Sequence, residues 1–188
     1  MRQKPDVLAR AIVAKSRLFT VEELQLRFSN GVERTYERLV NRGLGYGAVM
    51  VVALEDAEHV LLIEEYCAGI DAYERSLPKG LIEPGEDVLA AANRELKEEA
   101  GFGAHRLEHI TGLSLSPGYM SQSIQVVLAR DLYAERLPGD EPEEIQVSRI
   151  SLRELSQLAL SANFSEGRAL AALYLVRDLL TQRGEFQP

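Results

Sequence analysis

Between Gly80 and Phe102 the chain spaces its glycines and acids in a pattern that few folds can hold. Glu95, Glu98 and Glu99 stand at i, i+3 and i+4 inside an Ala-, Leu- and Glu-rich stretch, from Glu86 to Glu99, that reads as a helix. Helical spacing gathers the three carboxylates on one face, where like charges repel. Leu89, Ala92, Leu96 and Ala100 form an apolar stripe about a quarter turn away, so one face is anchored in a core while the acidic face lines a cleft. Gly80–Gly85, with Pro84 and Gly85, reads as a loop leading in, and Gly101 ends the helix. Three glutamates alone more often mark a solvated helix face. The residues around them decide the reading.

The rest of the chain supplies layers for such a helix to lie on. From Leu18 to Leu39 apolar and polar residues alternate around Ser29-Asn30-Gly31, which predicts an N-terminal hairpin. Gly43-Leu44-Gly45-Tyr46-Gly47 breaks the chain before two β-rich runs, Ala48–Leu54 and Val60–Glu65, joined by a polar turn at Glu55–Glu58. Strand patterns return at Leu107–Leu115, Ile124–Ala129 and Ile145–Ile150, the last after an acidic, Pro/Gly-containing loop from Leu137 to Glu144. In Glu166–Arg183, Ala169, Leu173, Val176 and Leu180 recur at helical spacing, so this segment covers a sheet face.

Composition narrows the function. A formal net charge of −8, without a Lys/Arg block long enough to follow a phosphate backbone, argues against a nucleic-acid polymer as partner. A small anion remains compatible if a few arginines, or metal ions placed between carboxylates and phosphates, compensate locally. Cys67 is the single cysteine, which excludes an internal disulfide and a multi-cysteine zinc site. The start Met1-Arg2-Gln3-Lys4-Pro5-Asp6 lacks an apolar signal core, and the apolar run Ala48–Leu54 is too short to span a bilayer. The expected location is the cytoplasm, with no membrane partner.

Read from Gly80, the chain runs Gly80, five residues, Glu86, seven residues, Arg94-Glu95-Leu96, one residue, Glu98-Glu99, one residue, Gly101-Phe102. This resembles the Nudix box at every defining position, and a chance match at a given start is on the order of 10⁻⁹. The flanking strands are similar to those of the α/β/α Nudix sandwich. The resemblance therefore implies an α/β fold with a mixed β-sheet and an N-terminal β-hairpin extension. Residues 1–45 are expected to form that extension, serving dimerisation and part of the substrate pocket, and residues 46–188 the Nudix hydrolase domain.

The resemblance also implies roles. Hydrolysing a diphosphate brings water to a phosphorus shielded by anionic oxygens, a task for Mg²⁺ or Mn²⁺ held by carboxylates. By similarity, Glu95 and Glu99 are the first metal ligands, and Glu98 serves a further metal or activates water, which makes Glu98 and Glu99 the catalytic pair. The backbone carbonyl of Lys79 completes a coordination sphere. Glu86 and Arg94 pair to fix loop to helix; Gly80 allows the loop its tight path and Gly101 a left-handed helix end.

Substrate choice rests on other loops. Ser116-Pro117-Gly118-Tyr119 resembles the Ser-Pro-Gly-aromatic loop of ADP-ribose pyrophosphatases, and Pro117 and Tyr119 are its candidate substrate-binding residues. Tyr119 also falls near the base-stacking tyrosine of diadenosine polyphosphate hydrolases, and Leu77-Pro78-Lys79-Gly80 is similar to their box entry. Two departures stand out. A loop glutamate that acts as general base in several ADP-ribose enzymes aligns with Gln122, which leaves Glu98, Glu143 or Glu144 as candidates. Glu64-Glu65-Tyr66 is followed by Cys67 where an arginine is expected.

With Ser16–Val21, the Phe28–Gly31 turn and Ala92–Glu99, the chain looks closest to the NudE family, hydrolases of ADP compounds acting on ADP-ribose, NADH and diadenosine triphosphate. The resemblance implies AMP as a product, Arg38 (or its neighbour Arg34) on the strand leaving the hairpin as a contact to phosphate or adenine, and a homodimer. Three alternatives are an enzyme specific for ADP-ribose or ADP-sugars, a ligand sensor that binds ADP-ribose without cleaving it, and an isopentenyl diphosphate isomerase. A sensor would have degraded box glutamates or a fused DNA-binding module, and the isomerase needs a cysteine and histidines in a setting that Cys67 lacks.

Overall fold

The computed structural model describes residues 3–40 and 47–187. Their contacts divide into two units, one holding the N-terminal strands together with Ser114–Ser123, the other holding the remainder. The glycine-rich break at Gly43–Tyr46, and with it the expected boundary at residue 45, lies outside the described residues.

In the smaller unit, β1 (Asp6–Lys15), β2 (Thr20–Arg27) and β3 (Glu33–Leu39) form an antiparallel sheet in that order. β2 and β3 are the hairpin expected around Asn30-Gly31, in register from Val21↔Leu39 to Arg27↔Glu33. β1 corrects the reading of a lone hairpin. All ten of its residues are exposed, and its register against β2 shifts between Val7 and Ala9 and again between Ile12 and Ala14. Each bulge resets the alternation, so no period-two pattern survives in the sequence. Ser114–Ser123 joins this unit through β3: Leu39 N–H donates to the Tyr119 carbonyl (2.8 Å) and Ser121 N–H to the Leu39 carbonyl (3.1 Å).

The larger unit is built on two central strands. β4 (Ala48–Ala53) runs parallel to β9 (Ser123–Ala134) and antiparallel to β7 (Lys79–Leu81), and β8 (Phe102–Ser114) flanks β9, giving a mixed sheet. β5 (His59–Cys67) lies between β10 (Gln146–Ser151) and β6 (Ala72–Ser76), antiparallel to both. Strands covered on both faces read as unbroken apolar runs, which accounts for Ala48–Leu54. Val49, Val51, Leu61 and Ile63 pack with Ala91 and Ala92 of α1 (Val88–Glu95). Met50, Val52, Val60 and Leu62 pack with Ala169, Leu173 and Val176 of α3 (Gly167–Gln182). One helix on each side makes the α/β/α sandwich.

Several elements differ from the expected ones. Lys79–Leu81 is a strand although Gly80–Gly85 reads as a loop, because Lys79 and Gly80 pair with Met50 and Val49. β8 and β9 extend beyond their apolar centres. β6 and the short α2 (Leu155–Ala159) carry no apolar periodicity of their own. β6 is held from outside its sequence: the buried Glu74 accepts hydrogen bonds from Ser165 N–H (2.7 Å) and Oγ (3.0 Å). Among the described residues no helix is long and apolar enough to cross a membrane.

Candidate active site

The acidic helix begins at Asp87, whose carboxylate caps Leu89 N–H (2.9 Å) and Ala90 N–H (3.3 Å). It does not continue as a regular α-helix to Glu99. After Glu95 the backbone widens into a π-turn over Leu96–Ala100, which lets Leu96, Glu99 and Ala100 all be buried. Such turns cannot be read from 3.6-residue spacing, and they recur at functional sites. Gly101 closes the turn with φ 76°, a left-handed value that strains other residues, and its N–H donates to the Leu96 carbonyl. The acids are consequently less exposed than an all-solvent face requires: Glu95 is 7% and Glu99 4% exposed.

Arg94 ties the cluster together. Its Nε and Nη2 donate to the two oxygens of Glu86 (2.9 and 3.0 Å), Nη2 also to the Leu81 carbonyl (2.9 Å), and Nη1 to Glu95 Oε1 (2.8 Å) and Glu98 Oε2 (3.0 Å). The guanidinium holds the Glu86 carboxyl below its usual range, and Glu86 in turn raises the arginine. Lys79 enters from β7: its N–H donates to Glu99 Oε2 (2.7 Å) and its ammonium pairs with Glu65. Gly80 lies against Glu95 so closely that a β-carbon there would fall 2.2 Å from the carboxylate. A side chain at position 80 and Glu95 in this rotamer are incompatible.

Burial dominates the electrostatics. It pushes the Glu99 carboxyl up to about 8 despite the opposing Lys79 N–H, and it raises Glu95 against the pull of Arg94. The charges of Glu98 and Glu141 raise Glu95 further, and that of Glu65 raises Glu99. Glu141 belongs to the acidic loop before β10 and, with Glu98, Arg136 and Glu144, borders a cavity of about 390 Å³. Gly139 makes room for it, since a β-carbon there would sit 2.1 Å from Glu141 Oε2. Glu143 instead accepts a hydrogen bond from the Tyr73 hydroxyl (2.6 Å). Among the described residues no three acidic, histidine or cysteine side chains are grouped, as arranged here, so that they could hold a metal ion.

Of the residues singled out in the sequence, Glu95, Glu98, Glu99, Lys79, Gly80, Glu86, Arg94 and Gly101 fall in this one region of the larger unit. Arg38, Pro117 and Tyr119 fall in the smaller unit. There the Arg38 guanidinium donates to the buried Glu22 from Nε (2.9 Å) and Nη2 (2.7 Å), so its fork is already engaged within the sheet. Pro117, Tyr119 and Gln122 are exposed. Sequence reasoning passed over Glu65 and Glu141. Glu65 follows the buried apolar run Val60–Ile63 within β5, where a charge emerging from the core is a usable signal; nothing in the acidic loop distinguishes Glu141 from Glu143 and Glu144. Burial and the Glu65 charge push the Cys67 thiol up, the opposite of the lowering that activates a thiolate.

Comparison with known proteins places this geometry in a family. Residues 46–173 match the family model described as "NUDIX domain", and residues 5–38 match "NudE-type Nudix hydrolase N-terminal domain". The chain is 49% identical over 182 residues to "ADP compounds hydrolase NudE" of Escherichia coli (strain K12), covering 97% of this chain and 96% of that protein. It is 30% identical over 129 residues to an "ADP-ribose pyrophosphatase" of Bacillus subtilis (strain 168), covering 68% of this chain and 70% of that one. Among solved structures, "Crystal structure of ADP compounds hydrolase" superimposes with a TM-score of 0.90 at 48% identity, covering 99% of both chains.

Proposed function

Since the chain belongs to the Nudix hydrolase family, we propose that it cleaves the diphosphate bond of ADP-linked compounds, namely ADP-ribose, NADH and diadenosine triphosphate, releasing AMP. The observation that carries the substrate reading is the near full-length similarity to an ADP compounds hydrolase. A match confined to the box would speak to chemistry alone. Incubation with Mg²⁺ and ADP-ribose, NADH, diadenosine triphosphate, ADP-glucose or 8-oxo-dGTP, with products separated by chromatography, tests it. AMP from the first three is expected. Preference for 8-oxo-dGTP with release of pyrophosphate would keep the family chemistry and defeat this substrate class.

Nudix hydrolases depend on a divalent metal, and the donors here are carboxylate oxygens throughout, which suit Mg²⁺ or Mn²⁺. Glu95, Glu98 and Glu99 would hold the cation, beside the backbone of Lys79. Mg²⁺ is usually held by one or two carboxylates and completes its shell with water and substrate phosphate, so it does not require three side-chain ligands grouped in advance. When bound, the cation neutralises the diphosphate oxygens and acidifies water. The residues do the rest: Arg94 and Glu86 fix the loop to the helix, and Lys79 N–H orients Glu99.

Glu141 is the best placed general base. Glu98 is held by Arg94 and Glu143 by Tyr73; Glu141 and Glu144 both border the cavity that contains Glu98, and of the two the Glu141 charge also acts on Glu95. Glu141→Gln is expected to lower kcat about 100-fold with little change in KM. A rate within a few-fold of wild type would return the role to Glu98 or Glu144.

The homodimer belongs to the same reading. β1 is an edge strand with Val7, Leu8, Ile12 and Val13 exposed, a surface that pairing with a second copy would cover. Light scattering at micromolar concentration should give twice the mass of the chain, and a monomer mass would rule it out. A single half-buried cysteine suits a reducing compartment such as the cytoplasm.

A further inference from the structure

We propose that Tyr66 and Tyr73 form a stacking subsite for a flat heterocyclic base carried on the side of the diphosphate opposite AMP, a deepening that rests on the ADP-compound reading. The two tyrosines face each other across the β5–β6 pair, with ring centroids 5.6 Å apart and planes at 64°. They are 49% and 52% exposed, and neither belongs to the hydrophobic cores on the two faces of the sandwich. Exposed rings usually rotate freely; these are fixed at their far ends. The Tyr66 hydroxyl donates to Asp71 (2.5 Å) and the Tyr73 hydroxyl to Glu143 (2.6 Å). Immobilised aromatic faces lose little entropy when a flat ring settles on them.

The tyrosines line a cavity of about 240 Å³ that also includes Glu65 and Glu141. These two tie it to the carboxylate cluster: Glu65 pairs with Lys79, whose N–H holds Glu99, and Glu141 also lines the cavity that contains Glu98. The volume lies below the range of sites that take whole drug-sized ligands, and so suits one base rather than a nucleotide. Charge narrows the choice. Glu64, Glu65, Glu141, Glu143 and Glu144 all line the cavity, so a further phosphate is repelled, while a neutral or cationic ring meets the electron-rich tyrosine faces.

ADP-ribose and NADH make a matched pair, since NADH carries a neutral, nearly planar dihydronicotinamide on the distal ribose where ADP-ribose has none. In Tyr66→Leu and Tyr73→Leu, kcat/KM for NADH is expected to fall about tenfold through KM, while ADP-ribose stays within about twofold. Tyr73→Phe, which keeps the ring but releases it from Glu143, should lose only about two- to threefold on NADH and stay near wild type on ADP-ribose. Equal losses on both substrates, or no loss on either, would overturn the subsite, as would wild-type turnover of ADP-ribose without NADH. Wild-type inactivity on both would instead remove the ADP-compound reading itself, and the subsite with it.

Discussion

Glu99→Gln is expected to lower turnover of ADP-ribose about 1,000-fold or more while the protein stays folded, and in cation-free buffer to melt no lower than wild type. The two effects have one cause. Glu99 is 4% exposed, and burial lifts its carboxyl from the ordinary 4.5 to about 8. The folded state therefore holds this proton more tightly than the unfolded state does. Its contribution to stability is complete below about pH 4.5 and is lost as pH rises toward 8. Glutamine keeps the shape, offers Lys79 N–H an amide oxygen in place of Glu99 Oε2, and has no charge to desolvate. Thermal unfolding at pH 5 and pH 8 with EDTA should show a downward slope in the wild type that flattens in the variant. Adding Mg²⁺ should then raise the melting temperature of the wild type more than that of the variant, because a ligand that binds only the native state stabilises it by mass action. Glu95→Gln should lose activity on the same scale. Near-normal rates in either variant would refute the ligand assignment.

The burial of Glu99 cannot be read from the sequence. Spacing at i, i+3 and i+4 places Glu95, Glu98 and Glu99 on one face, and an acidic face is ordinarily solvated. The π-turn over Leu96–Ala100 changes that by turning Glu99 toward the interior beside Leu96 and Ala100. No local preference of Lys97, Glu98 or Ala100 encodes the widening. It follows from packing the helix while holding Glu99 against the β7 backbone, a contact between residues twenty positions apart.

The same division runs through the fold. Segments whose signal is local were legible: the Asn30-Gly31 turn, the doubly buried strands β4 and β5, the amphipathic α3, and the glycine and acid spacing of the box. Segments whose structure is imposed by partners were not. β1 lost its alternation to two bulges, β6 depends on Ser165 to satisfy Glu74, and Ser114–Ser123 is drawn to the N-terminal strands by hydrogen bonds to Leu39. Glu141 belongs to this second class. Its charge is plain in the sequence, but its position relative to Glu95 is a property of the folded loop.

Arg94→Ala is expected to be the most destabilising single change in the cluster, costing about 3 kcal/mol and lowering the melting temperature by roughly 6–12 °C. The guanidinium serves Glu86, Glu95, Glu98 and the Leu81 carbonyl together, and its side chain is only 24% exposed. Removing it leaves three carboxylates crowded with no opposing charge, and breaking a largely buried pair costs more than the pair ever contributed. Partial exposure keeps the figure at the lower end of that range. Arg94→Lys restores one positive charge but not the planar fork that meets both oxygens of Glu86, so it should recover part of the stability and little of the activity. Glu86→Gln completes the cycle. If the pair fastens the box loop to the helix, Arg94→Ala and Glu86→Gln together should cost clearly less than the sum of the two separate losses, because each alone already breaks the same tie. Additive losses would instead assign Arg94 chiefly to Glu95 and Glu98, and so to setting the geometry of the carboxylates proposed to hold the metal.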